Sequence, residues 1–119
     1  MSQKMLILPM KKKWFDMVLS GEKKQEFREY KPYWESRVAN WEAVNRVPSS
    51  ARVLFLEVDF NRMLPILFVN GYGAKAPRFI GWCSGYSVRS TVRHKEWGEG
   101  AYEGIVHYAF HILRTERTN

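Results

Sequence analysis

Cys83 is the only cysteine among 119 residues, so no disulfide can staple the fold from within, and a reducing compartment is expected. Long hydrophobic runs are missing as well. The longest, Met5–Met10 and Leu64–Val69, fall far short of the ~20 apolar residues that cross a membrane as a helix. Met1–Met10 has neither the extended apolar stretch nor the cleavage site of a signal peptide. A cytoplasmic protein with no membrane partner is the expectation. Repeats, linkers and low-complexity segments are absent, and the chain reads as a single domain over residues 1–119. It carries no Gly-x-x-x-x-Gly-Lys-Ser/Thr phosphate loop and no nucleophile elbow. Acids are scarce, 12 against 19 lysines and arginines, giving a net charge of +7.

That excess is uneven: +4 over residues 1–40, +2 over 41–80 and +1 over 81–119. A polyanion partner is favoured, nucleic acid above all, because bound lysines and arginines neutralise phosphates. Against this, many small basic proteins bind no nucleic acid. Hydrophobic residues make up 45% of the chain and aromatics 15%, with five tryptophans; this is the composition of a globule with one core.

The pattern alternates strand and helix early, then runs to strands. Met5–Leu8 is a short strand closed by Pro9. From Met10 the spacing turns helical, with Met10, Trp14, Met17 and Val18 on one face, and Gly21 ends the helix as a left-handed cap. Gln25–Tyr30 alternates as a strand, with Glu26, Arg28 and Tyr30 on one side. Pro32–Trp41 reads as a second helix, with proline at its first turn. Val47–Ser50 is a loop. Val53–Phe60, Leu64–Val69, Arg78–Trp82, Tyr86–Val92 and Ile105–Leu113 read as strands, and Asn70-Gly71-Tyr72-Gly73 as a turn. The expected class is α+β: a small β-barrel of five or six strands flanked by two N-terminal helices, since closure removes exposed edges.

Gly21-Glu22-Lys23-Lys24-Gln25-Glu26-Phe27-Arg28 is the densest chemistry in the chain. Lys23 sits in the turn before the strand, and Glu26 and Arg28 project from one strand face. Together they form a cluster that can hold a polar heterocycle or a phosphate: Arg28 as a planar fork, Lys23 as a point charge, Glu26 as acceptor from the amino edge of a base. The bland alternative is an ion pair that pins helix to strand. Exposed pairs contribute only ~0–1 kcal/mol, so stability alone gives little reason for three charges.

Gly21-x-Lys23-x-x-Glu26-x-Arg28 resembles the G-x-K-x-x-E-x-R signature of the ASCH domain, a relative of the RNA-binding PUA domains. Leu6-Ile7-Leu8-Pro9-Met10 and Trp14-Phe15 look like that family's opening strand and helix, and Tyr33-Trp34 like its sequel. Asn70-Gly71-Tyr72-Gly73, Ala76-Pro77 and Glu96-Trp97-Gly98 look similar to bacterial and prophage ASCH proteins. The resemblance is close over residues 5–36 and looser beyond. It implies a PUA-like β-barrel with a cleft, and a role in binding RNA or a modified nucleoside or nucleotide. Some members remove the acetyl group from N(4)-acetylcytidine, with a threonine where this chain has Glu26. If the chain is an enzyme, the resemblance implies a hydrolase of an acylated nucleoside or of RNA, with Lys23 and Glu26 as the catalytic pair.

Other positions carry weaker signals. Tyr72, with Lys75 and Arg78 close by, reads either as a stacking platform with phosphate contacts or as a turn residue packed on its own hairpin. Lys11-Lys12-Lys13 reads as a solvated face or as an extension of a phosphate track, with Lys12 in it. The expected ligand-binding set is Gly21, Lys23, Glu26, Arg28, Tyr72, Lys12, Lys75 and Arg78. His107 and His111, four apart on a strand, lie ~13 Å from one another, too far for one ion, and neither metal nor cofactor is expected. The Trp97–Gly104 segment is a lid or a plain connection. A last reading is a prophage protein that docks a host protein through Trp41 and Trp97. Oligomeric state is not legible.

Overall fold

The computed structural model describes residues 5–45 and 63–118; the expected Val47–Ser50 loop and Val53–Phe60 strand lie outside them. Leu6–Met10 forms strand β1, with Leu6, Leu8 and Met10 buried and Ile7 exposed, the alternation of a half-buried strand. Pro9, expected to close the strand, lies within it. Its carbonyl turns away from the neighbouring strand toward Arg28. The nitrogen of a strand residue points the same way as its carbonyl, so the missing N–H costs the ladder nothing.

Helix α1 spans Lys12–Ser20 and buries Phe15 and Val18. Trp14 and Met17, expected on the core face, lie at its border and are only half-buried. Gly21 stops the helix at φ 87°, donating its N–H to the Val18 carbonyl, and the Lys23 N–H closes the turn onto the Met17 carbonyl at 2.9 Å. A Cβ at that φ would meet a steric penalty, which is why glycine stands there. Strand β2, Gln25–Glu29, follows at once. Helix α2, Pro32–Val44, begins with Pro32 in its first turn and buries Val38, Trp41 and Glu42.

Strand β3 is Leu64–Asn70, β4 is Arg78–Arg89 and β5 is His107–Arg117. Pro65 is tolerated in β3 because it precedes the first β1 partner, Ile66, and its carbonyl accepts from the Trp41 indole at 3.0 Å. The expected pair of strands, Arg78–Trp82 and Tyr86–Val92, is one strand: β4 runs through with an irregularity between Trp82 and Gly85 that bends the ladder and does not end it. Two short 3-10 turns, Lys95–Trp97 and Glu99–Tyr102, lead into β5.

The sheet order is β1-β3-β4-β5-β2, with β1 parallel to β3 and the other pairs antiparallel. These five strands, those of the described residues, curl into a half-barrel around a core that includes Leu8, Trp41, Phe68, Phe79 and Phe110. Among the described residues the two edge strands are β1 and β2, and the Arg28 guanidinium on β2 donates to the Pro9 carbonyl on β1 at 2.7 Å. A side chain therefore spans the seam between the two sheet edges.

Candidate functional site at the sheet seam

The cluster read from the sequence converges at that seam. Lys23, Glu26 and Arg28 line one hollow of about 200 Å³ together with Pro9, Met10, Lys11, Trp14, Phe27, Trp97, Gly98 and Tyr102. The helix stop at Gly21 places Lys23 beneath Trp14, and strand β2 then brings Glu26 and Arg28 past it. Lys23 Nζ lies 2.5 Å from Glu26 Oε1, and Arg28 lies 3.0 Å from Glu26 Oε2. Glu26 Oε1 also accepts from the Phe27 N–H at 3.1 Å. A carboxylate offers roughly four acceptor positions. With three taken, Glu26 acts first as the clamp on two cations, and one position remains for a donor on a ligand.

Burial is deep: Lys23 is 2% exposed and Glu26 is 4% exposed. The Lys23 ammonium lies 4.9 Å from the Trp14 ring and 5.1 Å from the Phe27 ring, so two aromatic faces replace part of its hydration. Burial pushes Lys23 below its ordinary 10.5 and outweighs the pull of Glu26 toward the charged form. A helix end and a nearby carboxylate favour the charged form of a lysine; the deep burial of Lys23 reverses that balance. Burial pushes the Glu26 carboxyl up, but Arg28 and Lys23, through charge and hydrogen bonds, outweigh it and hold Glu26 below its ordinary 4.5.

The aromatic walls come from far along the chain. Gly98, at φ 87°, lies so close to Trp14 that a Cβ there would sit 2.9 Å from the ring. The segment carrying Trp97 and Gly98 is held by Glu99, which is fully buried and accepts from the Arg93 and His94 backbone N–H groups at 2.7 and 2.6 Å and from Arg89. Tyr102 donates to the Phe27 carbonyl at 3.2 Å. The Trp97–Gly104 segment is thus a fastened wall of the hollow. Trp14 and Tyr102 were not read as site residues, and Trp97 only as a partner contact or the start of a lid, because nothing in local spacing joins positions more than 80 apart; their aromatic type was the only signal.

The remaining expected residues fall elsewhere. Lys12 is exposed and pairs with Asp16 on the outer face of α1, while its neighbour Lys11 borders the hollow. Tyr72 is 91% exposed, which removes the reading of a tyrosine packed on its own hairpin, and it does not line the hollow. Its turn is tied to the same end of β1, since the Gly71 N–H donates to the Met10 carbonyl at 3.1 Å. Arg78 holds that turn together by donating to the Gly73, Ala74 and Ala76 carbonyls, and Lys75 is exposed beside it. Trp41, expected as a docking contact, is 2% exposed and packed against Phe110 in the core, so it cannot meet a partner. His107 is buried with Nδ1 at 2.7 Å from the Ile105 carbonyl, and His111 Nδ1 lies 2.7 Å from Gln25 Nε2. Among the described residues, no group of three His, Cys, Asp or Glu side chains has the geometry to hold a metal ion. No family model, curated protein or solved structure matches the chain.

Proposed function

We propose that the chain is an ASCH-type, PUA-like domain that binds RNA or a modified nucleoside in the basic hollow at the seam. One observation supports this above others: four ionic side chains (Lys11, Lys23, Glu26 and Arg28) and four aromatic residues (Trp14, Phe27, Trp97 and Tyr102) line one hollow of about 200 Å³. A planar heterocycle fits such a site, with its polar edge on Lys23, Glu26 and Arg28 and its face against Trp14, Trp97 or Tyr102. Lys11 at the rim and the net charge of +7 favour the attached phosphate. Fluorescence anisotropy with a single-stranded RNA dodecamer tests it. Affinity should fall with salt at a log–log slope of ~0.7 per phosphate contact. Tyr102→Ala should weaken binding roughly five- to 150-fold, the range of a lost stacking contact. Salt-independent binding would count against the reading.

A hydrolase reading rests on a different observation, the burial of Lys23 against the Trp14 and Phe27 rings, which pushes its amine below its ordinary 10.5, toward the neutral form that a base or nucleophile requires. Incubation with N(4)-acetylcytidine would release acetate from the wild type and not from Lys23→Ala. A partner-docking protein would bind one host protein irrespective of nuclease treatment and of Lys23→Ala.

A further inference from the structure

A hollow of about 200 Å³ is small. Sites that enclose drug-sized ligands run ~300–1,000 Å³, so this one suits a single ring and not a ring with its sugar and phosphate. Trp97 is also part of the wall of a second hollow, of about 450 Å³, lined by Lys24, Gln25, Ser84, His94, His111, Ile112 and Leu113. Consecutive residues of the same motif serve the two: Lys23 and Glu26 the first, Lys24 and Gln25 the second. Alternation along β2 sends Gln25 and Glu26 to opposite sides, while Lys23 and Lys24 part in the turn before the strand, the first buried and the second exposed.

The second hollow has the parts of a base site. His94 stacks on Trp97 with ring centroids 3.9 Å apart and planes at 23°, giving a two-ring platform. Gln25 is held in one orientation: its Oε1 accepts from Arg89 at 3.3 Å, so its Nε2 faces His111 Nδ1 at 2.7 Å. Arg89 is in turn fixed by the buried Glu99, the residue that also sets the Trp97 segment. Lys24 is exposed at the rim, next in sequence to buried Lys23. A cation at the rim of this hollow can meet a phosphate from solvent.

We propose that the ligand is a single-stranded RNA step of two nucleotides, one base in each hollow, with Trp97 between them and Lys24 on the linking phosphate. This rests on the nucleic-acid reading above and specifies its substrate class: an oligonucleotide, not a free nucleoside. Calorimetry with the four ribonucleoside 5′-monophosphates and the dinucleotides pApA, pCpC, pGpG and pUpU tests it. At least one dinucleotide should bind about tenfold or more tighter than its mononucleotide, the weight of one stacked base. His94→Ala should erase most of that advantage, and Lys24→Ala, an exposed position that leaves the core intact, should reduce it and make it less sensitive to salt. Equal affinity for mono- and dinucleotide overturns the two-hollow proposal while the single-hollow reading stands. An advantage that survives both substitutions overturns it too. Failure of every probe to bind overturns the nucleic-acid reading itself, and this proposal with it.

Discussion

Glu26 is one carboxylate holding two cations in a nearly dry place. A buried pair that loses one partner leaves a charge without compensation, at a cost of about 3–5 kcal/mol. Glu26→Gln leaves Lys23 and Arg28 facing one another, and urea unfolding at pH 7 should show a loss of that order. The pH dependence has a definite sign. Because the folded-state value of Glu26 lies below the ordinary 4.5, its contribution is fully present above 4.5 and is lost as pH falls through the lower folded value. The stability gap between wild type and Glu26→Gln should therefore narrow on acidification below 4.5. A constant gap down to low pH would mean the carboxylate is not held ionised by its neighbours. Lys23 is shifted the same way from 10.5: the unfolded chain binds the extra proton between the two values, so this group adds stability as pH rises toward 10.5.

Among the elements, two glycines at φ 87° make a controlled comparison. A Cβ at Gly21 meets nothing within 4 Å, whereas one at Gly98 strikes the Trp14 ring. Gly21→Ala should cost only the left-handed backbone penalty, about 1–2 kcal/mol, and leave the hollow unchanged. Gly98→Ala should cost more and displace Trp14, visible as a shift in tryptophan emission and as weaker RNA binding; equal effects at the two sites would contradict the close contact. The end of α1 was legible in sequence because only glycine takes that backbone cheaply, and so was the strand that carries Glu26 and Arg28. The continuity of β4 was not, since a bulge at Trp82–Gly85 and a break between strands present the same small, polar residues. Nor were the walls Trp14, Trp97 and Tyr102, or the depth of Lys23. These depend on tertiary packing, which local periodicity does not encode.

At the scale of the molecule, the sheet leaves its two edges facing across a seam, and the candidate site occupies that seam. Arg28 links the edges through the Pro9 carbonyl, so its guanidinium is at once a structural tie and, among the described residues, the only planar fork in the hollow. Arg28→Lys keeps the charge but loses the fork; it should weaken RNA binding and lower the melting temperature together, whereas a purely structural tie would lower only the melting temperature. The most direct measurement is an NMR titration of isotope-labelled protein with single-stranded RNA, following the indole N–H signals of Trp14, Trp97 and Trp41. Binding at the seam predicts shifts of Trp14 and Trp97 at a common midpoint, with the core indole of Trp41 unmoved. Saturation that leaves Trp14 and Trp97 unmoved would place the ligand elsewhere and contradict the account.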